Sequence, residues 1–211
     1  MLTETAPFLP GFIAAYSILI VAAASPGPAV AMLLGVAQTE GRTDALVAAT
    51  GIAAGSATIN VATLMGVGLI LGQAAWAMGL SRLIGAGYLL WLACGAFRKA
   101  MHPPAVTARA VRKRSLARRF LAGYLLQVTN PKALIFWLAI ASVGATRGGG
   151  AAIVLAFVAG AFAISLGGRA AWAVLLSLEP IRRAYACGRR WIEAGLGAFF
   201  FCAAWKLAAA R

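Results

Sequence analysis

Two proline-containing motifs hold the residue types best suited to binding a small charged molecule. The first is Ser25-Pro26-Gly27-Pro28-Ala29, and the second is Thr129-Asn130-Pro131-Lys132-Ala133. Proline lacks a backbone N–H and clashes with the preceding helical turn, so each motif predicts an interrupted helix. The N-terminus of a half-helix attracts anions, and the Lys132 ammonium could bind a carboxylate beside it. The predicted binding residues in these motifs are Pro26, Gly27, Pro28, Asn130, Pro131 and Lys132.

The elements that carry these motifs are predicted to be membrane helices. Of the 211 residues, 62% are hydrophobic and 11% are charged, whereas soluble domains carry about 25% charged residues. A helix needs about 20 apolar residues to cross a bilayer. Six long, mostly apolar segments are present, at 5–39, 45–81, 83–97, 120–143, 149–178 and 192–207. We therefore predict an all-α integral membrane protein with six transmembrane helices, although the short third segment also permits five spans and a re-entrant segment.

Lys132 lies deep in the predicted fourth helix. If that helix begins near Phe120, Lys132 lies about 18 Å along it at 1.5 Å per residue. A charge at mid-membrane costs about 2.5–3.5 kcal/mol even on insertion scales. Two interpretations stay open. The ammonium faces a hydrated cavity and binds a substrate carboxylate, or it caps carbonyl groups that the proline break leaves free.

The chain divides naturally at a basic loop, 100–119, into a first half, 1–99, and a second half, 120–211. Each half is predicted to hold three helices, so a repeat between them would be inverted in the membrane. Inverted repeats with broken helices near the midplane are a common plan of secondary transporters. The two proline motifs fall in the first helix of each half. This arrangement predicts a single polytopic transporter domain, 1–211, made of two inverted three-helix halves.

Several other polar or small residues lie within the predicted spans. Asn60 could contact a substrate or join two helices by a hydrogen bond. Gln127 and Asn130 lie about one helical turn apart and could share a polar face. Gly51 and Gly55 have the spacing that favours close helix packing. Arg169 is expected to extend towards the cytoplasmic end of the fifth helix.

No Asp or Glu falls in the middle of a predicted span. A membrane-embedded carboxylate is the usual proton carrier in pumps. Asp44 and Glu193, both near helix ends, are therefore the candidates for coupling transport to a proton gradient. A site for a cationic group would need a buried anion, so the spans favour a small neutral substrate over a cationic one.

Cysteine and histidine predict neither a metal site, a cofactor nor an enzyme. The three cysteines are scattered, and the single histidine, His102, lies in the basic loop. A zinc or thiol-redox site would need these residues at ligand spacing. Hard cations would need carboxylates, which the spans lack.

The net charge of +14 is concentrated in alternate loops. Cytoplasmic loops attract Lys and Arg, so these loops should face the cytoplasm and its anionic lipid headgroups, with both termini outside. Nucleic acid is not the expected partner, because the basic stretch lacks aromatic residues that could stack on bases. The sequence leaves open whether the chain forms a homo-oligomer. The basic residues of loops one, three and five are Arg42, Arg98, Lys99, Arg109, Arg112, Lys113, Arg114, Arg118, Arg119, Arg182, Arg183, Arg189 and Arg190.

Several of these motifs together resemble the lysine exporter (LysE/Rht-type) family of amino-acid efflux proteins. The combination of Pro26-Gly27-Pro28 with Asn130-Pro131-Lys132-Ala133 carries the resemblance. Gly41-Arg42 followed by Gly51-x-x-x-Gly55 resembles that family's second helix, and 85–92 resembles its third. The departures are Ala45, the end of the third helix at 93–95, and Arg169. The resemblance covers nearly the whole chain.

Membership of this family implies an inner-membrane exporter of amino acids or related metabolites, driven by a proton or membrane-potential gradient. Its substrate pathway would run past the two proline breaks. The main alternative is a membrane scaffold that transports nothing and binds lipid through its basic loops. That alternative predicts dry, buried proline breaks, with no polar cavity between the first and fourth helices.

Overall fold

The computed structural model describes residues 6–25, 27–71, 75–102 and 115–209, and over these residues the fold is helical with no strand. Within these described ranges, eight α-helices follow a short 3-10 helix, Ala6–Phe8. The α-helical character predicted from the sequence is therefore confirmed. The helices are α1 Leu9–Ala24, α2 Pro28–Thr39, α3 Arg42–Leu71, α4 Ala75–Met101, α5 Leu116–Val128, α6 Pro131–Ser142, α7 Ala151–Leu175 and α8 Glu179–Ala209.

Both predicted helix breaks are confirmed. The first predicted span is formed by α1 and α2, and the fourth is formed by α5 and α6, which meet at an angle of 61°. Proline occupies the first turn of both α2 and α6. That position suits proline, because its missing N–H is one of those left unpaired at any helix start.

Three of the described helical segments are long and apolar enough to cross a membrane, and the bent pair of α5 and α6 would make a fourth. The protein is therefore a multi-pass membrane protein. The predicted third and sixth spans lie within α4 and α8. Because the first half of α8 carries many charges, its mean hydropathy is low. The count of six spans stays a prediction.

The helices group into two compact units: Met1–Val67 with Ala108–Ser177, and Gly68–Thr107 with Leu178–Arg211. The first unit holds α1, α2, most of α3, and α5 to α7. The second unit holds α4 and α8, which pack on each other. There, a Cβ added at Gly197 would lie 2.8 Å from the ring of Phe97, so glycine permits the close contact. The division into two inverted three-helix halves stays a prediction.

An aromatic cluster fixes α1 against α7 in the first unit. The rings of Tyr16 and Phe157 stack with centroids 5.3 Å apart, and Phe12 meets Phe157 edge-on at 5.2 Å. The Tyr16 hydroxyl also donates a hydrogen bond of 3.0 Å to the Phe157 carbonyl. Buried Trp137 and Ile140 of α6 extend the same core. This packing holds the C-terminal end of α1 at the site described next.

Candidate functional site

The first helix break leaves the last carbonyl groups of α1 in need of partners, because a helix end cannot bond them itself. Ser25 supplies two: its backbone N–H donates to the Val21 carbonyl and its hydroxyl donates to the Ala22 carbonyl, both at 3.0 Å. Ser25 is extended and buried, which ends the helix. Pro26, predicted to contribute to this break, lies outside the described residues.

The second break is capped by Asn130. Its side-chain oxygen accepts a hydrogen bond of 3.1 Å from the backbone N–H of Lys132, at the start of α6. Asparagine is one of the preferred residues at this capping position. The sequence Asn130-Pro131 thus combines a helix cap with a proline in the first helical turn. This local chemistry explains why α5 ends and α6 begins at this point.

Lys132 connects the two breaks. Its ammonium donates hydrogen bonds to the Ser25 hydroxyl and, at 3.4 Å, to the Ser25 carbonyl. The ammonium also lies 6.0 Å from the centre of the Phe136 ring. A Cβ added at Gly27 would lie 3.3 Å from this ammonium, so glycine leaves room for it. Of the two interpretations of Lys132, the structure shows the contact with freed backbone groups and also places the residue in the wall of a cavity.

A cavity of about 30 Å³ lies at the breaks, within the first unit. A site needs at least about 10–15 Å³ measured in this way to hold one water. The cavity therefore holds a few waters at most and is too small for an amino acid, so a substrate would require it to widen. The polar residues in its wall are Ser25, Ser56, Gln127, Asn130, Lys132, Ser165 and Arg169.

Close packing of α3 against α5 forms one side of this cavity. A Cβ added at Gly51 would overlap the Phe120 carbonyl oxygen, and one added at Gly123 would overlap the Ala48 carbonyl oxygen. A Cβ at Gly55 would also meet α5, 2.9 Å from the Cβ of Gln127. The predicted packing role of Gly51 and Gly55 is therefore confirmed.

This packing brings Gln127 to Ser56. The Gln127 amide donates a hydrogen bond of 2.8 Å to the Ser56 hydroxyl, and both side chains are buried. The Gln127 side-chain oxygen has no hydrogen-bond partner among the described residues. Gln127 and Asn130 both line the cavity, as the predicted polar face required.

Arg169 is placed differently from the expectation. It is 8% exposed and donates a hydrogen bond of 3.2 Å to the Ala23 carbonyl, near the end of α1. The indole N–H of Trp172 donates to the same carbonyl at 3.1 Å. The expectation that Arg169 extends towards the membrane surface was wrong, because the first break provides an acceptor next to it.

The remaining predicted site residues are dispersed. Gly27 and Pro28 line the cavity, whereas Pro131 is exposed and outside its wall. Asn60 is buried with its amide nitrogen unpartnered among the described residues, and it too is outside the wall.

Neither coupling candidate lies in the cavity wall. Asp44 occupies the first turn of α3, where a negative charge is stabilised by the helix dipole. Glu193 is buried in α8, in the second unit.

Three serines in the cavity wall were missed from the sequence. Ser25 is the first residue of the first proline motif, and Ser56 lies one helical turn before Asn60. Those positions are signals that could have identified these two. Ser165 has no comparable signal in the sequence.

A buried ion pair was also missed. Arg119, in the first turn of α5, pairs with Glu40 at the end of α2, and both side chains are buried. The sequence predicts that Arg119 faces lipid headgroups together with the other basic residues of its loop. That interpretation was wrong for Arg119, because α5 begins at Leu116 and directs its side chain into the protein.

Two broken helices that meet at a polar cavity within a multi-pass helical protein are features of a membrane transporter. The LysE type translocator family matches residues 20–211 of this chain. The chain therefore belongs to the LysE type translocator family and is a transporter rather than an enzyme.

Two similar proteins illustrate the relationship. The threonine efflux protein of Escherichia coli (strain K12) is 33% identical over 189 residues, which cover 86% of this chain and 89% of that protein. The threonine efflux protein of Salmonella typhi is 30% identical over 187 residues, with the same shares covered. No solved structure matches the chain.

Proposed function

We propose that this protein exports small neutral amino acids across the cytoplasmic (inner) membrane by secondary active transport. The observation that carries the proposal is the position of Lys132, which bonds to one helix break from the other and lines a polar cavity there. The polar wall of that cavity counts against the scaffold alternative, which requires dry breaks.

The substrate carboxylate would bind between Lys132 and the N-terminus of α2. Gly27 caps α2 without a side-chain hydrogen bond, and Gly27, Pro28 and Ala29 line the cavity. The first-turn N–H groups of α2 therefore lack the side-chain cap that Asn130 gives α6. An uncapped helix start beside a lysine attracts anions.

The substrate ammonium would bind to Gln127. Its side-chain oxygen is buried without a hydrogen-bond partner among the described residues, and the residue lines the cavity. A cationic side chain would find no carboxylate in the described cavity wall. Phe136 and Trp137 also line the cavity, and a short neutral side chain would suit this apolar part of the wall. The names of the threonine efflux proteins of Escherichia coli and Salmonella typhi support this substrate class.

Transport would proceed by alternating access. The cavity is too small for an amino acid, so it must widen towards one side of the membrane to load and towards the other to release. Asp44 and Glu193 remain the proposed sites of proton coupling. The two termini would lie outside, and the basic loops would face the anionic lipids of the cytoplasmic leaflet.

Efflux of labelled threonine from preloaded proteoliposomes tests the proposal. We expect Lys132→Ala to reduce the initial efflux rate by about tenfold to a hundredfold, the usual range for losing a charged hydrogen bond. Lys99→Ala is the matched control, because Lys99 is exposed at the end of α4. Wild-type rates in Lys132→Ala would remove Lys132 from the mechanism. Failure of the wild type to export any small neutral amino acid would overturn the proposal itself.

A further inference from the structure

We propose that Arg169 is a second carboxylate-binding residue of the cavity and that it selects for substrates with a free carboxylate. This inference rests on the proposed export of amino acids. Arg169 lies on α7, whereas Lys132 lies on α6, and both line the same cavity in the first unit. The substrate carboxylate would thus be approached by cations from two helices.

Part of the hydrogen-bonding capacity of the Arg169 guanidinium has no partner among the described residues. Arginine carries five N–H donors in a fixed planar fork. One nitrogen, Nη1, bonds to the Ala23 carbonyl, and Nε is buried without a partner among the described residues. A buried donor without a partner is costly. A carboxylate accepts two parallel hydrogen bonds from an arginine fork, so it is the ligand that fits these donors.

The charge of the cavity points to the same ligand. Two cations, Lys132 and Arg169, line it, and no Asp or Glu belongs to its described wall. The acceptors that contact these cations include the backbone carbonyls of Ala23 and Ser25 and the Ser25 hydroxyl. A helix C-terminus carries only about half a negative charge. A ligand carboxylate would add an anion to this wall, whereas a ligand of net positive charge would be repelled.

A purely structural role for Arg169 would be to satisfy the Ala23 carbonyl. Trp172 already donates to that oxygen at 3.1 Å. Trp172 is not part of the cavity wall. Substitutions of the two residues therefore separate the roles, because both contact one carbonyl and only Arg169 belongs to the cavity wall.

The experiment uses the full chain in proteoliposomes with labelled threonine as the transported molecule. Unlabelled threonine and threonine methyl ester, which lacks the free carboxylate, are compared as competitors. The measured quantity is the ratio of their inhibition constants. For Arg169→Gln we expect threonine to inhibit about tenfold to a hundredfold more weakly while the ester is little changed or improves, since a hydrogen bond to a charged group is lost. Arg169→Lys keeps the charge but not the planar fork, so it should weaken inhibition by threonine less than Arg169→Gln does.

Trp172→Phe removes the other donor to the Ala23 carbonyl and should keep the wild-type ratio. Arg147→Gln removes an exposed arginine and should do the same. If Arg169→Gln does not fold, Arg169→Lys carries the test. An unchanged ratio in the Arg169 variants, or an equal fall in Trp172→Phe, would overturn the inference while leaving the export proposal standing. Failure of the wild type to transport threonine or other small amino acids would instead overturn the export proposal.

Discussion

Three buried or half-buried cations of the first unit are each matched to a partner on another segment. Lys132 bonds to Ser25, Arg169 bonds to Ala23, and Arg119 pairs with Glu40. The sequence predicts that Lys132 contacts freed backbone groups, but it does not predict that they belong to the other helix break. Glu40 and Arg119 are separated by 79 residues, and no local pattern relates them.

The Arg119–Glu40 pair predicts a strong effect of a single substitution. We expect Glu40→Gln to lower the free energy of unfolding by about 3–5 kcal/mol, because it leaves a buried arginine without its counter-ion. The measurement is thermal unfolding of the purified protein in detergent.

Glu179→Gln is the matched control, because Glu179 pairs with Arg182 and Arg183 at the surface. Such exposed pairs contribute about 0–1 kcal/mol. Equal melting temperatures for the two variants would contradict a stabilising role of the buried pair. The double variant Glu40→Leu with Arg119→Met should recover much of the loss, because no unpaired charge remains.

At the scale of elements, the sequence predicts where the helices break and that the glycines of α3 pack against another helix. It does not predict which segments contact α7. Proline chemistry is local, so residues 25–28 and 129–132 alone determine where the helices end. Gly51 and Gly55 show by spacing that a helix approaches, but nothing in the sequence identifies α5 as that helix. Arg169 was misplaced because its partner, the Ala23 carbonyl, is 146 residues away.

The contact of α3 with α5 predicts different effects for two glycines of one helix. Gly51→Ala should destabilise the protein by about 1–3 kcal/mol, since its methyl group would overlap the Phe120 carbonyl. Gly66→Ala is the control, because nothing lies within 4 Å of its added Cβ. Alanine there should be neutral or stabilise the helix by up to about 1 kcal/mol. Thermal unfolding in detergent distinguishes the two, and equal loss in both variants would contradict the packing described.

At the scale of the molecule, composition predicts a membrane protein because 62% hydrophobic residues exceed what a soluble core can bury. The grouping into compact units could not be predicted, since it depends on which helix faces touch. The units combine segments distant in the sequence.

The distribution of basic residues predicts the orientation of the whole chain. We expect alkaline phosphatase fused after Arg211 to be active, because that end should lie outside the cytoplasm. Phosphatase inserted within residues 103–114 should be inactive, and green fluorescent protein at that position should fluoresce. Fluorescence of green fluorescent protein fused after Arg211 would contradict the predicted orientation.

The double attachment at the end of α1 has a mechanical consequence. Lys132 and Arg169 belong to different helices, and both bond to backbone carbonyls at the C-terminal end of α1. A bound anion that drew these two side chains inward would release the tip of α1 from both at once. Ligand binding in the cavity would then allow α1 to tilt directly. No further residue would be needed to couple the ligand to the backbone.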